Sequence, residues 1–164
     1  RYPQRFEGGC YRIARLDNAV NEVGATFALT PATLGGGLLC LSIQIGNIAD
    51  TSPSVPVSPL HFWVDQYGWN LDVNSEAGTA VDHVASGAFY TPLAADGSTI
   101  YGMAALLQRE SERCTLWLPD GQVVSFADRR FARGGRYAYV EPFKTPGDSS
   151  SKSAALVREW WANS

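Results

Sequence analysis

The chain has 164 residues, 45% of them apolar and 18% charged, with a formal net charge of -3. That length allows one domain that buries roughly 68–70% of its unfolded surface and leaves no room for a second independent core, and so slight a charge excludes a general polyanion-binding surface. No run approaches ~18 apolar residues, which excludes a membrane-spanning helix.

Residues 1–9 read as an irregular lead-in without a signal-peptide pattern. The start at Arg1 and the lone Met103 fit a processed product, an expressed domain or the ordered part of something larger. Cys10–Leu16 is a short strand candidate, with Tyr11 and Ile13 opposite Arg12, and Asp17–Glu22 a turn. Val23, Ala25, Phe27 and Leu29 then alternate with Gly24, Thr26, Ala28 and Thr30, the period of a half-buried strand. Pro31 ends it, and Gly35-Gly36-Gly37 forms a flexible approach to the most patterned stretch of the chain.

There Leu39, Leu41, Ile43 and Ile45 alternate with Cys40, Ser42, Gln44 and Gly46. Asp50–Pro59 holds 3 prolines and 3 serines and crosses the surface as a loop, because proline lacks the amide hydrogen of a central ladder. Leu60, Phe62 and Val64 share one face of the next strand, His61, Trp63 and Asp65 the other. From Tyr67 the phase shifts, which predicts a bulge or bend near Asp65–Gly68. After a polar connection over residues 74–81, His83–Tyr90 is a further strand candidate, and Asp96-Gly97 a turn. Ile100–Arg113 fits either a helix or a strand. Strand is favoured by the hairpin immediately downstream, formed by Thr115–Leu118, the turn Pro119-Asp120-Gly121, and Gln122–Phe126. Tyr137–Glu141 is one more strand. Thr145–Lys152 reads as a linker, and SAALVREWW as a short helix capped by Ser153 with Leu156, Val157, Trp160 and Trp161 on one stripe. The sum is an all-β antiparallel β-sandwich, jelly-roll-like, over residues 1–144, followed over 145–164 by a linker and a short C-terminal helix.

The supply of chemistry is thin. His61 and His83 are the 2 histidines, and neither sits in a nucleophile-elbow or cysteine-protease signature. A hydrolase would have to combine His83 or His61 with an acid or thiol drawn from elsewhere. Asp65, Asp72, Glu76 and Asp82 could supply a glycosidic acid–base pair or a calcium site, or line a solvated sheet end. The histidine and cysteine spacing matches no zinc pattern, so neither a metal nor a cofactor is implied. Cys10, Cys40 and Cys114 are odd in number and far apart, which argues against a disulfide framework, and Cys40 reads as a small buried hydrophobe.

Two groups suggest partner surfaces instead. Residues up to Ile100 carry 4 basic against 9 acidic side chains, those after it 9 against 7, a split that can steer like subunits together. Within the basic half Arg129, Arg130, Arg133 and Arg136 cluster around Phe131 and Tyr137; they could grip phosphate, but beside Asp128 and Glu141 an arginine edge meeting an acidic neighbour fits better than nucleic acid. Trp160 and Trp161, on a helix too short to stand alone, need a surface to dock on.

The succession GGGLLCLSIQIGN, IADTSPSVPVSP and LHFWVDQYGWNLDV, within Gly35–Asn74, resembles the last two strands of a jelly-roll coat protein from picorna-like viruses. The resemblance implies a capsid subunit liberated from a polyprotein, located in the virion, without catalytic activity, and associating with like or related subunits. The alternative reading is a carbohydrate-binding β-sandwich with a glycan stacked on exposed aromatic side chains. A hydrolase using His83 or His61 ranks third.

Overall fold

The computed structural model describes residues 4–5, 12–30, 39–46, 59–74, 81–144 and 155–164. In chain order its strands are β1 (Gln4–Arg5), β2 (Arg12–Arg15), β3 (Glu22–Ala28), β4 (Leu39–Gly46), β5 (Leu60–Val64), β6 (Gly68–Asn74), β7 (Val81–Ala88), β8 (Tyr101–Gln108), β9 (Arg113–Trp117), β10 (Val123–Ala127), β11 (Tyr137–Lys144) and β12 (Leu156–Asn163). They form two sheets with antiparallel pairing throughout. A seven-stranded sheet runs β1-β11-β4-β5-β6-β7, with β2 also paired to β11, and a five-stranded sheet runs β10-β9-β8-β3-β12.

The period-two pattern explains the stacking. Leu41, Ile43 and Ile45 of β4, with Leu60, Phe62 and Val64 of β5, are fully buried, as are Val23, Ala25 and Phe27 of β3 in the opposite sheet. Each strand turns every second side chain inward, so the two inner faces interlock into one dry layer. Burying a side chain the size of Phe62 or Leu60 contributes about 1.5–3 kcal/mol.

Several expectations take their final form here. The phase shift near Tyr67 marks a hairpin turn between two strands: Val64 pairs with Trp69, and Asp65 N–H donates to the Gly68 carbonyl at 3.0 Å. Asp65 Oδ1 also accepts from the Tyr67 and Gly68 amides at 2.6 and 2.9 Å, so this carboxylate builds the turn. The ambiguous Ile100–Arg113 stretch is strand β8 followed by a 3-10 turn at Arg109–Ser111, closed by Glu112 at a φ of 55°. The β9–β10 hairpin has the expected turn chemistry, with Gly121 at a φ of 91°.

The expected C-terminal helix is a strand. β12 pairs with β3 and carries a register shift between Val157 and Glu159. The extra residue places Val157 and Trp160 on the same inner face, opposite Phe27 and Ala25. A bulge therefore imitates the three-residue spacing of a helical stripe. Leu156–Asn163 thus belong to the sandwich itself, while residues 145–152, read as a linker, and the cap candidate Ser153 lie outside the described residues. The coat-protein register also fails, because β4–β6 are followed by six further strands and occupy the middle of the seven-stranded sheet.

The layers are tied together at one end by Arg130. It lies in a 3-10 turn at Arg129–Ala132 that is capped by Asp128 and plugged by the buried Phe131. Its guanidinium reaches Asp128 Oδ2 at 2.7 Å and, across to β7, Asp82 Oδ2 at 2.5 Å. The side-chain hydrogen bond from Arg130 holds the Asp128 carboxyl below the usual carboxylate range against the opposing effect of partial burial, and the Arg130 backbone amide adds to the lowering. A carboxyl depressed on folding contributes stability that is present above its unfolded pKa of about 3.9 and is lost as pH falls through the folded value. Arg130→Ala is expected to cost about 1.5–3 kcal/mol. Urea unfolding of Asp128→Asn should likewise lose part of the wild-type advantage at pH 7 and converge on wild type in strong acid.

Candidate functional site

The outward face of the seven-stranded sheet carries polar side chains in two cross-strand rows. Residues directly opposite each other in antiparallel strands point to the same face. One row runs Tyr139, Gln44, His61, Asp72, His83 through β11, β4, β5, β6 and β7. The next runs through Glu141 on β11, Trp63 on β5, Asn70 on β6 and Ser86 on β7. On β11, β5 and β6 each of these positions alternates with core residues, whereas on β7 the register shift beside Asp72 sets His83 and Ser86 three positions apart.

Exposure changes along the rows. Tyr139, Gln44, His61 and Glu141 are buried, Trp63 and Asn70 are half-buried, and His83 and Ser86 are exposed. The part of the face open to a ligand therefore lies over β5, β6 and β7, with Trp63 at its centre.

Asp72 organises this open part. Its Oδ2 accepts a hydrogen bond from Trp63 Nε1–H at 3.0 Å, and its Oδ1 lies 2.9 Å from His83 Nδ1. The Asp72 side chain is 12% exposed against 53% for His83, so a nearly buried carboxylate holds an accessible imidazole. A carboxylate only accepts, hence the neutral imidazole carries its proton on Nδ1 and presents Nε2 as an acceptor. The result is an aromatic plate and a polar rim fixed in mutual orientation: Trp63 cannot swing away without losing Asp72, and the Asn70 amide and Ser86 hydroxyl stand in the adjacent row. Such a surface combines apolar stacking with directional hydrogen bonding.

Both histidines named from sequence thus share one row with Asp72, a convergence the sequence did not indicate. The other acids separate: Asp65 serves its turn, Asp82 serves Arg130, and Glu76 lies outside the described residues. Cys114 is buried in the other sheet, where desolvation pushes its thiol up, so it supplies no nucleophile to either histidine. Cys10 and the side chain of Cys40 lie outside the described residues. Among the described residues no group of three His, Cys, Asp or Glu is placed to hold a metal, and no helix is long and apolar enough to cross a membrane.

The residues named as interface candidates are dispersed. Trp160 packs against the core from β12. Trp161 lies on the outer face across Gly24, where any side chain would collide with its ring, and donates its Nε1–H to Glu22 Oε1 at 3.1 Å. Arg133 Nε donates to the Arg130 carbonyl at 3.3 Å and Arg136 Nε to the Leu16 carbonyl at 3.1 Å, while Arg130 is the tie between sheets and Arg129 remains exposed beside it. Elsewhere, an open cleft of about 490 Å³ lies around Asn21, Leu106 and the Arg109–Ser111 turn. Arg109 on its wall already donates to the Val20 carbonyl at 3.3 Å.

Trp63 and Asn70 were not singled out as site residues from sequence. The available signal was their phase: Trp63 alternates against Leu60, Phe62 and Val64, and Asn70 against Trp69 and Leu71, so both leave the core. Replacing Asp72 by alanine leaves the half-buried Trp63 indole N–H without its acceptor. A loss of about 1–3 kcal/mol is expected in chemical denaturation, together with a change in tryptophan emission that Asp72→Asn, which keeps an acceptor oxygen, largely restores.

No family model matches the sequence, and no curated protein matches it. Solved structures do. Sheep galectin-11, in complex with glycerol, superposes with a TM-score of 0.59 at 9% identity, covering 99% of this chain and 100% of that chain. Chicken galectin 2 gives 0.54 at 10% identity over 91% and 96%, and congerin II with lactose and MES bound gives 0.51 at 12% identity over 94% and 99%. These neighbours are galectins and congerins, not coat proteins of picorna-like viruses, and they overturn the capsid-subunit and virion expectations. The chain has a galectin-like β-sandwich fold.

Proposed function

We propose that this protein is a glycan-binding β-sandwich and that the ligand sits on the open part of the seven-stranded sheet, against Trp63. The observation that carries this reading is the Trp63–Asp72–His83 chain. Sugars present alternating patches of C–H and hydroxyl groups, and a tryptophan face flanked by oriented donors and acceptors matches both at once. His83 Nε2 offers an acceptor, Asn70 offers both donor and acceptor groups, and Ser86 a hydroxyl. Occurrence of bound lactose in congerin II, a fold neighbour, supports the same class of ligand.

The residues act by holding and orienting. Asp72 fixes the Trp63 ring and the His83 imidazole before a ligand arrives, so less conformational entropy is lost on binding. Its oxygens are already engaged, so the carboxylate is better suited to positioning its two neighbours than to chemistry on the sugar.

Isothermal titration with lactose and with a panel of neutral oligosaccharides tests the reading. Binding by at least one of them, weakened about tenfold or more by Trp63→Ala, is expected; a tenfold loss corresponds to about 1.4 kcal/mol. Absence of binding across the panel, or unchanged affinity in Trp63→Ala with the fold intact by circular dichroism, would overturn it.

A further inference from the structure

A strand at the edge of a sheet offers unsatisfied backbone groups to any other strand that reaches it, and proteins blunt such edges with charges, bulges or proline. Most edges of this sandwich are blunted. β7 has a register shift in its pairing with β6 and carries Asp82 and His83. β12 has the shift between Val157 and Glu159, with Arg158 and Glu159 exposed. β1 and β2, on the far flank of the seven-stranded sheet, include Arg5, Arg12 and Arg15. Among the described residues the remaining edge is β10, which reads Val123-Val124-Ser125-Phe126-Ala127, without charge or proline and in regular register with β9. Val123 is 57% exposed and Trp117, directly opposite it, 41%.

The hairpin determines which backbone groups this edge shows. Leu118 N–H donates to the Gln122 carbonyl at 2.8 Å at one end, and Asp128 N–H to the Glu112 carbonyl at 2.9 Å at the other. Alternation between these two fixed points turns the N–H and C=O groups of Val124 and Phe126 toward β9 and those of Val123, Ser125 and Ala127 outward.

We propose that β10 is a dimerisation edge at which a second copy of this chain adds its own β10, antiparallel, about a two-fold axis through Ser125. In that register Ser125 faces Ser125 of the second copy, Val123 faces Ala127 and Val124 faces Phe126, so apolar side chains meet on both faces and no like charges oppose each other. The choice of a second copy rests on this self-complementarity. Pairing over five residues buries little area, so the dimer is weak and concentration-dependent. The axis runs perpendicular to the sheet and points both seven-stranded faces the same way; only the resulting bivalency toward glycans rests on the reading given above.

Sedimentation velocity on the full chain from about 5 to 500 μM, paired with amide hydrogen exchange at the same concentrations, tests the edge. Expected are a concentration-dependent dimer and added protection at the amides of Val123, Ser125 and Ala127. Ser125→Lys, which sets two like charges against each other at the axis, should weaken the dimer roughly tenfold or more, whereas Glu159→Lys on the β12 edge should leave it unchanged. A strictly monomeric chain overturns the proposal and leaves the edge to a foreign strand. So does a dimer that resists Ser125→Lys, or one that fails in Glu159→Lys, provided both variants keep the wild-type melting transition.

Discussion

The structure depends on alternate side chains of each strand meeting a second sheet. Leu41, Ile43 and Ile45 are fully buried only because Val23, Ala25, Phe27 and their neighbours close over them. The same alternation obliges Gln44, His61, Trp63, Asn70 and Asp72 to face the other way. Core and candidate site are therefore two sides of one constraint. A one-residue slip of β5 against β6 would send His61 and Trp63 into the apolar layer and Phe62 out of it.

This coupling explains how a short stretch of β-sheet can fix a recognition surface. Trp63, Asp72 and His83 stand on three adjacent strands whose spacing is set by backbone hydrogen bonds, so their separation follows from the ladder and needs no loop to adjust it. The bulge between β6 and β7 matters for the same reason. It falls next to Asp72 and re-aims the following strand so that His83 meets Asp72 while Asp82, one residue earlier, turns to Arg130. One irregularity thereby serves both the polar face and the tie between the sheets.

Much of the scaffold was legible in the amino-acid order because it is written in the nearest-neighbour pattern. The alternations at Val23–Leu29, Leu39–Ile45 and Leu60–Val64, and the turn at Pro119-Asp120-Gly121, carry local signals strong enough to stand without tertiary context. The terminal strand was not legible, since a bulge at Arg158 gives Val157 and Trp160 a helix-like separation and its partner, β3, lies at the opposite end of the chain. The site was only half legible. Each polar residue could be assigned to a face, but which strands are neighbours is a matter of topology. Asp72 and His83 are brought together by the pairing of β6 with β7 and not by any motif. The resemblance to a coat protein failed for a related reason: alternating strands joined by a proline-bearing loop recur in unrelated sandwiches, and strand order, which separates them, is absent from such a pattern.

The pairing of β12 with β3 joins residues as far apart as Asn163 and Glu22, a separation of 141 positions. On a translating ribosome, one flank of β3 waits until β4–β11 and the connections between them have been made. During that interval the five-stranded layer lacks its closing member, and the nascent polypeptide shows an apolar border around Ala25 and Phe27 that Val157 and Trp160 later cover. Contacts so distant along the chain close slowly because the entropy of a long loop must be overcome before they repay it. The vulnerable moment in the life of this sandwich is thus its birth, when chaperone capture or premature association competes with the arrival of β12.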